Sequence, residues 1–269
     1  MKGKTIALVN QKGGVCKTTT AFNLGACLVE QGKKVLLVDL DSQGNLTICC
    51  GNEKEKLDMI PHTMGELIEA HIRKKNYDVR DYIKSYKKMD YIACNVLMAE
   101  VEMILISTME REMVLKEILQ PVKEQYDFIL LDCGPTIGIF MINALVAANS
   151  VLIPSEAETF SAVGLEQVIK NVLRTRQRLN PNLDIDGILF TKVTKNFWIN
   201  KKYFDEVQAK YGEFIPIYDF MVPRRTEASK AIEHKIPLIE YEDKKIKKGQ
   251  SEVAQVYRKL AKEVIDHGE

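Results

Sequence analysis

Residues 10–20 read NQKGGVCKTTT, and they lie between the apolar run KTIALVN (4–10) and KTTTAFNLGACLVEQ (17–31), in which Phe22, Ala26 and Val29 recur at helical spacing. Strand, glycine-bearing loop and helix, in that order, form the setting in which a phosphate-binding loop works. Gly13 and Gly14 let the backbone curl so that successive N–H groups point inward at phosphate oxygens, and a helix starting near Lys17 adds the positive end of its dipole. Val15, Cys16, Lys17, Thr18 and Thr19 complete the cradle. Lys17 is read as neutralising the β and γ phosphates, and the Thr18 hydroxyl as a ligand for Mg²⁺. The strict pattern G-x-x-x-x-G-K-[ST] nevertheless fails, because Gln11 and Cys16 stand at its two glycine positions.

The same alternation continues outward from this loop. KKVLLVDL (33–40), YDFILLDC (126–133), NSVLIP (149–154), DGILFTKV (186–193) and FIPIY (214–218) are further short runs rich in Val, Ile and Leu, most of them separated by stretches with helical spacing. Continuous apolar strands alternating with amphipathic helices predict an α/β fold, a doubly wound and mostly parallel sheet with helices on both faces. We expect one domain over residues 1–269, since no linker splits it. Gly32 reads as a helix C-terminus, as does Asn180-Pro181-Asn182 after RTRQR. The charged, irregular segment from about Gly51 to Lys88 reads as short surface helices.

Composition narrows the class. The chain has 269 residues, 28% charged and 46% apolar, and its apolar runs fall far short of the roughly 20 residues needed to cross a bilayer, so a soluble, cytoplasmic protein is expected. Six cysteines without a CxxC pair indicate neither a zinc site nor a disulfide framework. The net charge is +1, yet Val168–Lys202 carries eight Lys or Arg against two Asp, a local basic excess.

Two more motifs carry carboxylates. KKVLLVDLDSQGN (33–45) places Asp39 and Asp41 at the end of the second strand, where doubly wound folds keep their ligand sites. Residues two apart on a strand end point to the same side, so both carboxylates can face Mg²⁺ and an attacking water; the alternative is a turn in which Asp41 and Asn45 cap backbone groups. YDFILLDCGPTIGIF (126–140) is an apolar strand ending in Asp132 and followed by a Gly-Pro turn, a form in which the terminal carboxylate holds Mg²⁺ through water.

KGGxxKT, with Lys12 ahead of the glycine pair, resembles the deviant Walker A loop of the ParA, Soj and MinD ATPases. DLDSQGN resembles the family's D-x-D-P-Q-G-N with Ser42 for proline. DCGPTIG resembles its D-C-P-P-S-L-G, and MVPRRTEASKAIEHKIPLIEYEDK resembles a late segment that packs on adenine. The resemblance spans nearly the whole chain. It implies an ATP- and Mg²⁺-dependent partition ATPase in which Lys12 reaches the partner's nucleotide across a homodimer, Asp41 positions or activates the water, and Thr18, Asp39 and Asp132 serve the metal. Met221, Val222 and Pro223 are the implied base contacts, and the segment 134–138 the switch that senses the γ-phosphate.

It further implies non-specific DNA binding by ATP-loaded dimers, hydrolysis stimulated by a ParB-like centromere-binding protein, and a cytoplasmic, nucleoid-associated location. DNA binding needs only cations set against phosphates. Lys195, Lys201, Lys202, Arg224 and Arg225 carry most weight, ahead of Arg174, Arg176, Arg178 and Lys192, whereas Phe197 and Trp198 are either exposed contacts or core. A MinD-like, membrane-positioned ATPase is the alternative within the family. The C-terminal SEVAQVYRKLAKEVIDHGE argues against it, because Val253, Val256, Leu260 and Val264 form a stripe suited to packing on the domain. Cys16 opens two further readings: a binding protein whose hydrolysis is impaired, because a side chain stands where the backbone favours glycine, or a thiolate stabilised between Lys12 and Lys17 that confers redox control. The nitrogenase iron protein shares the loop and holds a cluster through cysteines, and Cys133 and Cys94 are the residues that reading would use.

Overall fold

The computed structural model describes residues 3–157, 161–194, 197–247 and 249–267. Its elements are β1 (Lys4–Leu8), α1 (Lys17–Glu30), β2 (Val35–Leu40), α2 (Asn45–Cys49), α3 (Met64–Ile72), β3 (Ile83–Tyr86), β4 (Met89–Ile92), α4 (Leu97–Ile106), α5 (Val114–Leu119), β5 (Phe128–Cys133), α6 (Ile139–Ala147), β6 (Ser150–Glu156), α7 (Ser161–Arg178), β7 (Asp184–Thr191), α8 (Phe197–Tyr211), α9 (Thr226–Glu233), α10 (Leu238–Lys245) and α11 (Glu252–Asp266). Among the described residues the strands form one sheet in the order β3-β4-β2-β5-β1-β6-β7, parallel except where β3 meets β4.

The continuous apolar runs are explained by burial on both faces. Successive strand side chains alternate sides. Ile6, Leu8, Leu37 and Leu130 pack toward a core shared with α1, α10 and α11, whereas Ala7, Val38, Leu131 and Ile153 pack toward one shared with α3 to α7. The doubly wound α/β fold read from the sequence is therefore the observed one. Gly32, at φ 79°, closes α1 with its N–H on the Val29 carbonyl, as its position implied.

Two expectations are corrected. The segment from 51 to 88 has short surface helical turns at Lys54–Met59 and Val79–Tyr82, as expected, but is more than a set of surface helices. Thr63 and Glu66 form a capping box that starts α3, and Met64, Leu67 and Ile68 are buried in the core. The segment then supplies β3, which pairs with β4 at the sheet edge. The run at 214–218 forms no strand of its own, since Pro216 has no N–H to give. It lies beside β7 through a single bridge, Ile188 donating to the Pro216 carbonyl and Tyr218 donating to that of Ile188. Gly187 makes this approach feasible, because a Cβ there would stand 2.9 Å from Tyr218 Cε2 and 3.1 Å from the Pro216 carbonyl.

The C-terminal stripe behaves as expected. Val253, Leu260 and Val264 are fully buried, and α11 packs along α1. Arg174, Arg176 and Arg178 are exposed on α7. No helix among the described residues is long and apolar enough to cross a membrane.

Candidate functional site

The parallel register aligns the carboxyl ends of the strands, and the chemistry collects there. Leu8, Asp39 and Asp132 are register partners across β1, β5 and β2, so the two carboxylates lie side by side just beyond the turn of residues 10–16. Glu156 ends β6 opposite Thr191, the last residue of β7. A cavity of about 480 Å³ opens at this edge, lined by Gly13, Gly14, Cys16, Lys17, Thr18 and Thr19 from the loop and by Asp41, Gln43 and Asn45 from the β2–α2 turn. Val15 is fully buried behind it, and its carbonyl accepts the Thr191 hydroxyl at 3.1 Å.

Lys17 is buried at the first turn of α1, its ammonium 3.4 Å from the Lys12 carbonyl. Burial lowers its pKa, and the charge of Asp132 opposes the shift. Its neighbours supply it with little hydrogen bonding, and a phosphate would complete it.

Asp132 is fully buried, and neither carboxyl oxygen has a hydrogen-bond partner. Burial pushes its pKa well up, and Asp39 pushes it further, while Thr18 and Lys17 are the neighbours that favour its charged form. A divalent cation held also by the Thr18 hydroxyl would satisfy those orphaned oxygens. No group of three or more acidic, cysteine or histidine side chains among the described residues holds a metal alone, so such a cation would need oxygens from a bound phosphate.

Asp39, the expected metal support, is held by the turn that follows it. One oxygen accepts the Asp41 N–H at 3.1 Å, and the other accepts both the N–H and the hydroxyl of Thr47, at 2.8 and 2.7 Å. Burial raises its pKa to about 7 against those bonds. Its acceptors are engaged in fixing the turn that presents Asp41. Asp41 lines the cavity while also accepting the Gln43 N–H at 3.0 Å, so the turn reading and the site reading describe the same residue. Asn45 lines the cavity without capping α2.

Cys16 sits at φ 65° and ψ 28°, the left-handed region, where the strict pattern has glycine. Its thiol is not the stabilised thiolate that redox control needs. Burial raises the pKa, with Lys192 opposing and Glu156 adding, and the raising effects prevail. The proposed flanking charges are otherwise occupied: Lys12 pairs with Glu156 at 2.7 Å, and Lys17 turns inward. Cys133 and Cys94 are buried in the packed core on the α3–α7 side.

A second cavity of about the same volume shares Cys16, Thr19 and Lys192 with the first, and Val222, Pro223, Arg224, Arg225 and Tyr257 also line it. Val222 and Pro223, two of the implied base contacts, line this second cavity. Met221, the third, packs against the core on the α3–α7 side. Of the DNA-contact residues, Arg225 pairs with Glu252, and Arg224 is exposed on this cavity's rim. Lys201 and Lys202 are exposed on α8 beside Asp205 and Glu206, and Lys195 and the side chains of Phe197 and Trp198 lie outside the described residues.

Sequence reasoning missed Glu156 and Tyr257 and put Lys192 on a DNA surface. The available signal was positional, because Glu156 and Lys192 stand at the carboxyl ends of parallel strands, as Asp39 and Asp132 do. Tyr257 comes from α11, far along the chain, and its hydroxyl lies 3.3 Å from that of Thr20.

A parallel sheet with a glycine loop, an inward lysine and an unpartnered aspartate at its carboxyl edge defines a phosphate-loop nucleotide-binding protein. A family model described as "AAA domain" matches residues 3–185. The chain is 38% identical to the sporulation initiation inhibitor protein Soj of Bacillus subtilis, over 99% of this chain and all of that one. It is 31% identical to the chromosome partitioning protein ParA of Caulobacter vibrioides, covering 97% and 94%. Its fold is similar to cobyrinic acid a,c-diamide synthase from Mycobacterium smegmatis, a structure with bound ATP analog and magnesium, at TM-score 0.82 and 28% identity, covering 98% and 95%. The chain belongs to the ParA/Soj family of partition ATPases.

Proposed function

We propose that the protein is a DNA partition ATPase that binds ATP with Mg²⁺, dimerises and binds DNA non-specifically when loaded, and releases DNA after hydrolysis stimulated by a ParB-like partner. The observation that carries the nucleotide reading is the pair of orphaned, buried Asp132 oxygens, whose charge-favouring neighbours Thr18 and Lys17 line the glycine-bearing cavity. The Soj and ParA relatives support the partition role.

The residues divide the work. Backbone N–H groups of Gly13 to Thr19 and the α1 terminus bind phosphate oxygens, and Lys17 neutralises the β and γ phosphates. Thr18 and Asp132 would hold the metal, which would supply charge neutralisation at the phosphates when bound. Asp39 fixes the turn, and Asp41 orients the water that attacks the γ-phosphorus, giving ADP and inorganic phosphate. Lys12 acts on the partner's nucleotide, which requires it to leave Glu156.

Retention of the protein on double-stranded DNA tests the gating. We expect retention with ATP that falls steeply with salt and is absent with ADP. Equal retention with ATP, ADP and no nucleotide would contradict it.

The left-handed backbone of Cys16 favours a second reading, a nucleotide-dependent binding protein with impaired hydrolysis. Single-turnover hydrolysis with Mg²⁺ separates the two.

A further inference from the structure

Lys192 belongs to no phosphate-loop pattern, yet the fold holds it at the junction of the two cavities. Glu156 and Thr191 are register partners, so Lys192 is the first residue past the sheet edge. Its φ of 53° lies in the left-handed region, which a lysine occupies only when its surroundings fix it there. Those surroundings are visible on both sides. The Thr191 hydroxyl ties the chain to Val15 of the phosphate loop at 3.1 Å. On the other flank the Val193 N–H donates to the Val222 carbonyl at 3.0 Å, and the Arg224 N–H donates to that of Val193 at 2.9 Å.

The side chain points toward the cradle. Lys192 Nζ lies 3.6 Å from where a Cβ on Gly14 would stand, and 2.8 Å from Glu156 Oε1. The other oxygen of Glu156 takes Lys12 at 2.7 Å. Burial alone would raise the Glu156 pKa, but the bonds from Lys12 and Lys192 carry it below the usual carboxylate range. One shielded carboxylate thus holds two cations at the mouth of a cavity suited to polyphosphate. The Lys192 side chain remains 40% exposed, so its head group is free to swing on its stem.

We infer that Lys192 is a further nucleotide-binding lysine, contacting the polyphosphate within its own chain, and that Glu156 is the counter-ion it leaves when phosphate oxygens arrive. This rests on the nucleotide reading of the cavity given above. Binding then exchanges a carboxylate for phosphate at Lys192 and leaves Glu156 to Lys12, which holds its other oxygen. The two residues therefore oppose each other: Lys192 favours nucleotide, and Glu156 competes with it.

Equilibrium binding of a fluorescent Mg-ADP to the full chain tests this, because ADP bound to one chain removes any contribution from a lysine of a partner. Lys192→Gln and Lys192→Asn, the latter better suited to a left-handed backbone, should each weaken ADP binding about tenfold or more, the loss of one charge-assisted hydrogen bond. Lys192→Arg should stay within about threefold of the parent, and Glu156→Gln should bind ADP several-fold more tightly, by removal of a competing charge. Thermal unfolding of each variant without nucleotide confirms that it is folded. ADP affinities within twofold of the parent for both neutral Lys192 variants, with Lys17→Ala abolishing binding, would overturn the role of Lys192 and leave the nucleotide reading intact. Unchanged or weaker binding by Glu156→Gln would overturn the counter-ion role. If the parent and Lys17→Ala bind alike, or neither binds, the nucleotide reading itself falls.

Discussion

Replacing Cys16 with glycine tests what the left-handed loop position demands. At φ 65° and ψ 28° a side-chain-bearing residue is strained by about 1–2 kcal/mol, which glycine escapes. Glycine also adds freedom to the unfolded chain, worth about 0.4–1 kcal/mol against folding. The thiol supplies little to set against this, since its contact with the Gly14 carbonyl is 3.9 Å long. Cys16→Gly should therefore stabilise the protein by roughly 0.5–1 kcal/mol, a rise in Tm of about 1–3 °C. Cys16→Ala keeps the strained Cβ and removes only the sulfur, so it should show no gain. Differential scanning fluorimetry without nucleotide reads both. A fall in Tm for Cys16→Gly, or an equal rise for Cys16→Ala, would refute the strain argument. Single-turnover ATP hydrolysis by the same variant then separates stability from chemistry: a faster rate than the parent supports the impaired-hydrolysis reading, and an equal rate removes it.

Further outcomes follow from other residues. Asp132→Asn keeps the shape of a buried, unpartnered carboxyl, so it should leave Tm without nucleotide no lower while abolishing any Mg²⁺-dependent tightening of ATP binding, as measured by titration calorimetry with and without EDTA. Glu156 has a folded pKa depressed below its ordinary value of 4.5, so its contribution is present above that pH and lost as pH falls through the folded value. The Tm difference between parent and Glu156→Gln should accordingly shrink below pH 4.5, as followed by circular dichroism. Gly187→Ala would drive a Cβ to 2.9 Å from Tyr218 at φ 152° and should lower Tm by about 4–8 °C, on the order of 2–4 kcal/mol from combined strain and overpacking.

Five strands were legible because each is a continuous apolar run, the mark of burial on both faces. β3 and β4 were not, since KSYKKMDYI mixes charge into an edge hairpin whose turn depends on Lys87 at φ 54°. The phosphate loop, Thr18 and the strand-end aspartates could be read from local pattern alone. The parts of the site that depend on tertiary pairing could not. Lys12 meets Glu156 across 144 residues, Thr191 meets Val15 across 176, and Thr20 meets Tyr257 across 237. Asp39 was assigned to the metal by the resemblance of DLDSQGN to the family segment, its spacing putting it on the same side as Asp41. Only the fold reveals that Thr47 and the Asp41 N–H occupy its acceptors.

The central claim is that ATP in this site gates self-association through Lys12. Sedimentation velocity of the full chain, with Mg²⁺ and either ATP or ADP, measures it most directly. The account predicts a dimer with ATP, a monomer with ADP, and a monomer with either nucleotide for Lys12→Ala. A mass that does not change with nucleotide, or an ATP-dependent dimer that survives Lys12→Ala unaltered, would contradict it.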